Sequence, residues 1–492
     1  MRYFIARFRR APILDACMIE RQEIEQKAAQ FEINTANVQR DYVLGWFLFA
    51  LFSVSELRHL LFLKGGNALR KSYFENTRFS HDLDLGMESD VDPEFLRTEI
   101  NNICDIVHTA TGIAFKNEAN IVKEKFRAVV PEDSRNQLRV YEVRIYFRDF
   151  YSNADHLTIR VVMDITRYDK IYLPLQDRPL IHPYSDYKEL QVSIKCVKLE
   201  EIVATKLKCL LQREHPPDLF DYVYTVFFSR AIALDKTEVV STFLRKTIFE
   251  PSPDVVKNIL LELPFQFFKE YWHKNIVCIK QTMFDVELAI QNFKSSIEEI
   301  FGAYPDGGYY DLAFFPAKLR NPIMQAGRDR TLLKMMYQNS ERLIEPYSLK
   351  YKEAKARSAR EYLYAFDTSG GNSGTKCIKT FVAENVQSIV NTDIEFTPRV
   401  EIELAKAGEP VSDQSFRDPN RIPQYKEPRV RVRKSRSARS RSGYYGLKYQ
   451  FRCPACNKSI TKHTMDSTIG KHKNRYGGEC YSRYGHYEGT KS

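Results

Sequence analysis

FLKGGNALRKSYFENTRFSHDLDLG, residues 62–86, is the stretch from which the rest of the chain is read. Arg78 to Leu85 alternates as a strand packed on one face does, so Asp82 and Asp84 project from the same side and can share one or two hard cations. Gly65-Gly66 removes side chains at the junction between a hydrophobic segment and a helix expected over Asn67 to Tyr73. That lets backbone amides approach a phosphate closely, and Asn67 adds a polar side chain there. Further on, Asp164 stands alone in IRVVMDIT, within a second apolar strand expected from Leu157 to Ile165 that can pair beside the first. Phosphoryl and nucleotidyl transfer need oxygen ligands for divalent cations and donors that hold phosphates in line, and little other chemistry from the protein. Alone, a D-x-D is more often a solvated strand edge and a Gly-Gly pair more often a turn. Their order, followed by an isolated strand aspartate, narrows the reading to that chemistry.

Working outward, Ile19 to Leu63 carries apolar residues at helical spacing, with Val43, Phe47 and Leu51 on one face. Its most hydrophobic part, Tyr42 to Val54, is short for a membrane span and reads as a buried helix, so no membrane partner is expected. MRYFIARFRR has no secretory pattern after it. LEEIVATKLKCLLQ, Leu199 to Gln212, returns to helical period with Ile202, Val203, Leu207, Leu210 and Leu211 as its stripe. The expected architecture is α+β. Residues 1–230 form a mixed-sheet domain, 231–320 a helical region, 321–405 a small SH3-like β-barrel, 406–448 a basic linker and 449–492 a zinc-finger tail.

The length of 492 residues suggests about three domains, and 43% apolar with 28% charged residues describes soluble globular protein. A formal charge of +11 favours a polyanionic partner. Lys426 to Arg441 holds eight Lys/Arg against one Glu, contributing +7 of it. A charge run of this kind is usually just solvated chain. Placed before a segment with Lys458, Lys462, Lys471, Lys473 and Arg475, and with Tyr444, Tyr445 and Tyr449 for stacking, it suits a phosphate backbone. The nine cysteines are an odd number and mostly scattered, which indicates a reducing, cytoplasmic setting with one metal site. Cys453-Pro-Ala-Cys456 is a C-x-x-C knuckle, and His472 and Cys480 follow at distances that allow a structural Cys₃His zinc site, with His463 and His486 competing for the histidine place. So few aliphatic residues follow Phe451 that the tail needs a metal to fold.

The segment 62–86 resembles the glycine motif and the RFS-x-DLDL signature of the AbiEii/AbiGii-type toxins, members of the polymerase β-type nucleotidyltransferase superfamily. The resemblance runs from about Asn34 to Tyr222 and continues through VQRDYVLGWFLFAL, MDI and KLEEIVATKLKCLLQREHPPDLFDY. It implies that Asp82 and Asp84 bind Mg²⁺ or Mn²⁺, that Asp164 joins them, that Lys206 contacts the phosphates of an NTP and that Asp218 belongs to the site. Read from the residues alone, Lys206 is a solvated helix lysine and Asp218 a helix N-cap. Asn67 occupies a place where the family usually has Thr or Ser, and Pro217 one where an Arg commonly precedes the Asp. RLIEPYSLKY, EYLYAFD, IKTFVAENVQSIV and FTPRVEIEL resemble a WYL-type domain, which implies a ligand-sensing or nucleic-acid surface near Arg342, Tyr347, Tyr362 and Lys379. The plain alternative is a domain that only packs on its neighbour. The expected activity is nucleotide transfer from an NTP to an RNA end such as that of tRNA, in a toxin or phage-defence role with a cognate antitoxin. A nucleic-acid-binding regulator that uses the transferase fold as a scaffold, and transfer onto a protein hydroxyl, are the competing expectations.

Overall fold

The computed structural model describes residues 19–126, 139–150, 158–167, 169–228, 232–250, 252–302, 313–354, 357–371, 374–400, 402–408, 448–462, 468–473, 478–480 and 482–491. They divide into two compact units, one within 1–146 and 160–426, the other within 147–159 and 427–492. The basic run from Lys426 to Arg441, together with Tyr444, Tyr445, His463 and Arg475, lies outside the described residues.

The larger unit opens with α1 (Arg21–Phe31) and α2 (Thr35–Ser53). The Asn34 side chain accepts from the Ala36 amide at 2.7 Å and satisfies one of the free N–H groups at the start of α2. Every residue of α2 from Tyr42 to Phe52 is buried, as suits a helix apolar on all sides. Asp41 is buried with them and is neutralised by Arg70 at 2.7 Å and Lys71 at 3.0 Å. Among the described residues no helix is long and apolar enough to cross a membrane.

β1 (Leu61–Lys64) runs straight into the one-turn helix α3 (Gly65–Ala68), and β2 (Asp82–Met87) follows. The helical reading up to Leu63 therefore ends early. Leu61, Phe62 and Leu63 are buried in a central strand, and a short apolar run covered on both faces carries no period that separates strand from helix. Asp92 accepts from the Glu94 and Phe95 amides at 3.0 and 2.9 Å and starts α4 (Pro93–Thr111). Then come β3 (Ile121–Phe126), β4 (Arg139–Arg148), β5 (Thr158–Thr166), β6 (Gln176–Pro179) and β7 (Ser193–Cys196). The sheet has the order β3-β4-β5-β2-β1-β7-β6. It is mixed, with β2 antiparallel to β1 and parallel to β5. α5 runs from Leu199 to Gln212, the bounds its periodicity gives, and α6 covers Pro216–Val223.

α7 (Lys236–Arg245), α8 (Pro253–Leu261), α9 (Phe265–Asn275) and α10 (Val286–Ile300) follow as a run of helices that packs with α5 and α6. Its core includes Phe220, Trp272, Phe284 and Phe293, with Phe220 stacked on Phe284 at 4.7 Å between ring centres. α11 (Ala317–Asp329) then packs on a five-stranded antiparallel sheet of β8 (Thr331–Tyr337), β9 (Ser340–Ala354), β10 (Arg357–Asp367), β11 (Ile378–Phe381) and β12 (Val386–Glu395). The strand order is β11-β10-β9-β8-β12, and among the described residues the two end strands do not pair. The expected closed, SH3-like barrel is therefore corrected to an open sheet. Ile323 and Ala326 of α11 join Leu333, Met335, Ile344 and Leu363 in one core, so the helix covers the face that a barrel would close upon itself. The described residues of the last expected strand, FTPRVEIEL, form no strand, because β12 ends at Glu395. Leu404 instead seats on α11, where a Cβ built on Gly327 would stand 2.2 Å from Leu404 Cδ1.

In the smaller unit, β13 (Lys448–Arg452) lies between β14 (Ser459–Lys462) and β17 (His486–Lys491), and β15 (His472–Lys473) pairs with β16 (Glu479–Cys480). Phe451, Cys453, Ile469 and Cys480 make up its small core.

One buried ion pair ties α11 to its sheet: Arg320 donates to Glu361 at 2.9 Å, and the Phe315 amide donates to the same carboxylate at 3.0 Å. Both side chains are fully buried. Glu361→Ala is expected to destabilise this sheet by about 3–5 kcal/mol in urea denaturation, since it strands a buried guanidinium. The double variant Arg320→Met/Glu361→Leu is expected to recover most of that loss. An unchanged midpoint for the single variant would contradict the assignment.

Candidate active site

Strand alternation creates the acidic face. Leu83 and Leu85 of β2 and Val161, Met163 and Ile165 of β5 are fully buried in the core beneath the sheet. Asp82, Asp84 and Asp164 occupy the alternate positions and so face the other way. In the parallel pairing Asp84 stands directly beside Asp164, and in the antiparallel pairing on its other side Asp84 stands beside Lys64. The pairing thus brings the three sequence-predicted carboxylates to one face. Burial raises the Asp84 carboxyl above its ordinary value, and Asp164 adds repulsion, against the pull of Lys64 and Lys206. Desolvation and the charge of Asp84 raise Asp82 likewise, against Arg40 and Arg160. Adjacent carboxylates that resist ionisation in this way are a donor set suited to a hard divalent cation.

The glycines are explained by crowding. Gly65 has φ +68°, and a Cβ there would stand 2.2 Å from Asp84 Oδ2. A Cβ on Gly66 would meet Arg78 Nη2 at 2.7 Å and Ser80 Oγ at 3.1 Å. The turn and the acidic strand are pressed together, which a side chain would prevent. Asn67 is buried, and its amide donates to the Asp82 carbonyl at 2.8 Å, so it fixes the start of the acidic strand.

Lys206 and Asp218 form a buried network with partners that sequence reading missed. Lys206 Nζ lies 2.9 Å from Asp218 and 2.7 Å from Asp221. Arg78 donates to both oxygens of Asp221, each at 2.7 Å. Arg213 donates to Asp218 at 2.8 and 3.2 Å. Burial alone would depress the Lys206 ammonium, but the two carboxylates raise it above its ordinary value and keep it charged. Asp218 sits inside the first turn of α6 and its carboxylate faces Lys206 and Arg213; no side-chain cap is made at the start of that helix. Arg213 gives this aspartate a guanidinium partner, although Pro217 precedes it. Asp221 was detectable as the residue one helical turn after Asp218, and Arg78 lay inside the stretch that decided the fold.

In the five-stranded sheet, Arg342 and Lys379 converge on Asp367, at 2.7 and 3.0 Å. Tyr347 is buried and donates to Glu345 at 2.6 Å, while Tyr362 is half-buried on β10. In the smaller unit, ligand atoms of Cys453, Cys456, His472 and Cys480 all lie within 4.8 Å of one another. Four ligands around a common tetrahedral zinc would stand about 4 Å apart, so the group is shaped to hold such an ion. His472 Nδ1 meets the Gly470 carbonyl at 2.9 Å, which leaves Nε2 for coordination. His486 lies exposed on β17 and is not part of the group.

Residues 46–271 match a family model described as nucleotidyl transferase AbiEii toxin, Type IV TA system. The chain is accordingly an enzyme of the nucleotidyltransferase class, with its acidic face, glycine turn and Lys206 network all inside the matched span. Among solved structures it is similar to the nucleotidyltransferase toxin MenT4 from Mycobacterium tuberculosis H37Rv, at 14% identity and a TM-score of 0.32, over 58% of this chain and 89% of that one. No curated protein matches.

The crowding at the turn makes a sharp expectation. Gly65→Ala forces a Cβ against Asp84 at a positive φ and is expected to abolish transfer while lowering stability by only about 1–2 kcal/mol. Steady-state transfer and urea denaturation check both; full activity would show that the turn is not part of the site.

Proposed function

We propose that this protein transfers a nucleotide from an NTP to the 3′ end of an RNA, most suitably a tRNA, as the toxin of a toxin–antitoxin pair. The observation that carries the reading is the placement of Asp82, Asp84 and Asp164 on one sheet face against Gly65. Asp82 and Asp84, with Asp164 beside them, would hold Mg²⁺ or Mn²⁺, which would supply positive charge against the phosphates and the departing pyrophosphate. The amides of Gly65 and Gly66 approach the phosphates, while the buried Asn67 side chain holds the start of the acidic strand. Lys206 stays charged between Asp218 and Asp221 and contributes positive potential to the same face. The acceptor hydroxyl attacks the α-phosphorus, its proton passes to a site carboxylate, and the bond to the bridging oxygen breaks to release pyrophosphate.

The family description and the charge distribution support the toxin role, a cognate antitoxin and an RNA acceptor. Lys458, Lys471 and Lys473 are exposed around the Cys/His group, which suits a phosphate backbone. We assign that group a structural zinc and expect the open sheet, which carries the WYL-like sequence, to sense a ligand or bind nucleic acid near Arg342 and Lys379.

The test is incubation of the full chain with labelled NTPs, Mg²⁺ and total RNA. The wild type is expected to label RNA, and Asp84→Asn to lose at least a hundredfold in rate. Because the Asp84 pKa is raised, the folded state disfavours its charged form, so in Mg²⁺-free buffer Asp84→Asn is expected to show a higher Tm than wild type at pH 7. For the same reason the Mg²⁺ concentration needed for half-maximal rate is expected to rise as pH falls toward that pKa. Equal RNA labelling by the variant sinks the reading. Growth inhibition that survives Asp84→Asn favours the regulator that uses the transferase fold as a scaffold.

The zinc assignment is checked separately. Zinc released by a thiol-modifying reagent is expected at one equivalent per chain, and Cys480→Ser is expected to lose that ion and the hydrogen-exchange protection of strands β13 to β17. Stoichiometric zinc retained by Cys480→Ser would contradict it.

A further inference from the structure

A second cluster of charge begins where β5, the strand of Asp164, ends. After Thr166 the chain turns through Asp169 and Lys170 to Tyr172, and this turn is built on buried groups. The Tyr172 and Leu173 amides donate to the Glu201 carboxylate at 3.0 and 2.6 Å. Glu201 is fully buried and is neutralised by Lys246 at 2.5 Å. Lys246 also donates to the Lys170 carbonyl at 2.8 Å, and the Tyr172 hydroxyl donates to the Arg245 carbonyl at 2.8 Å. Three cations surround the Tyr172 ring: Arg245 Cζ at 4.4 Å from its centre, Lys170 Nζ at 4.9 Å and Lys246 Nζ at 5.4 Å. Lys246 is buried, while Lys170 and Arg245 are exposed.

The cluster is continuous with the acidic face. Lys64, the cross-strand neighbour of Asp84, donates to Thr166 Oγ1 at 2.6 Å and contacts Asp169. Burial would raise the Asp169 carboxyl; Lys64, Lys208 and Lys246 together hold it below its ordinary range. Lys64 also serves Asp84; the other four cations, Lys170, Lys208, Arg245 and Lys246, face the two carboxylates Asp169 and Glu201, and the surplus is positive. The buried Glu201–Lys246 pair already anchors the turn, and among the described residues neither exposed member forms an ion pair, although Arg245 also sits in the last turn of α7, where a cation suits the helix dipole. An arginine lying on a tyrosine ring offers its outer plane to a nucleobase, and an adjacent exposed ammonium suits the phosphate that follows it.

We propose that Tyr172, Arg245 and Lys170 form the platform on which the single-stranded end of the RNA acceptor lands before its terminal hydroxyl reaches the Asp84–Asp164 face. The proposal rests on the RNA-acceptor reading above and names the surface that would serve it. An aromatic ring with two exposed cations matches the alternation of base and phosphate along a strand. The glycine turn that suits the NTP phosphates follows Lys64 directly, and Lys64 contacts Asp169, so turn and platform are neighbours along one edge of the acidic face.

The experiment uses the full chain and a short unstructured oligoribonucleotide with 4-thiouridine at its 3′ end. Photo-crosslinking followed by peptide mapping is expected to mark residues 169–173 or 245, and the crosslink is expected to fall about tenfold in Lys170→Glu/Arg245→Glu. In turnover, that double variant and Tyr172→Leu are each expected to raise KM for the oligonucleotide about tenfold with KM for the NTP unchanged, whereas Tyr172→Phe, which keeps the ring, is expected to match wild type. Crosslinks confined to other parts of the chain, or a rise in KM for the NTP in place of the oligonucleotide, overturn the platform. Crosslinking reads binding without turnover, so a wild type that crosslinks at Tyr172 but transfers nothing would refute the transfer reading and leave the platform standing.

Discussion

Gly65 and Asp84 meet across a space too small for a side chain, and the rest of the site depends on that approach. A Cβ on Gly65 would fall 2.2 Å from the Asp84 carboxylate. The turn after β1 is therefore in contact with the acidic strand, and the glycines proposed for phosphate share one small volume with the carboxylates proposed for metal. The parallel pairing of β2 with β5 adds Asp164 beside Asp84, and the antiparallel pairing with β1 adds Lys64 on the other flank. Sheet register, more than any single side chain, sets which charges are neighbours.

Behind this face stands a chain of buried ion pairs that links distant parts of the sequence. Arg78 precedes the acidic strand, yet it is bound bidentately by Asp221 on α6. Asp221 in turn shares Lys206 with Asp218, which Arg213 also holds. Removing one member would leave a charge uncompensated in a buried place, so the network is a stringent constraint on how α5 and α6 pack against the glycine turn. It keeps Lys206 charged where its potential is felt at Asp84. The acidic face is stabilised less well, because both Asp82 and Asp84 are held above their ordinary pKa values. A cation bound at such a face would recover the stability given up there.

The features legible in the sequence were the periodic and local ones. Alternation in HDLDLG placed Asp82 and Asp84 on one side, the 3.6-residue stripe from Ile202 to Leu211 gave α5 its full bounds, and the C-x-x-C knuckle marked a group that His472 and Cys480 complete. What stayed hidden depended on tertiary context. Leu61–Lys64 is buried on both faces and so lost the alternation that signals a strand. The partner of Arg78 lies 143 residues away, beyond any local pattern. The strand-rich segment after Thr331 carried β-propensity without stating how its sheet would end, and α11 covers the face that a barrel would have enclosed. Lys170 and Arg245 attracted no notice as single exposed cations, and acquire meaning only when the fold sets both against Tyr172.

We propose that the acidic face moves a nucleotide and not a phosphoryl group. It is tested most directly by parallel reactions of the full chain with RNA, Mg²⁺ and NTPs labelled at either the α- or the γ-phosphate. The α-label is expected to enter the RNA and the γ-label to be released in pyrophosphate, and Asp82→Ala/Asp84→Ala is expected to do neither. Entry of γ-label into the RNA, or α-labelling by the double variant at the wild-type rate, would contradict it.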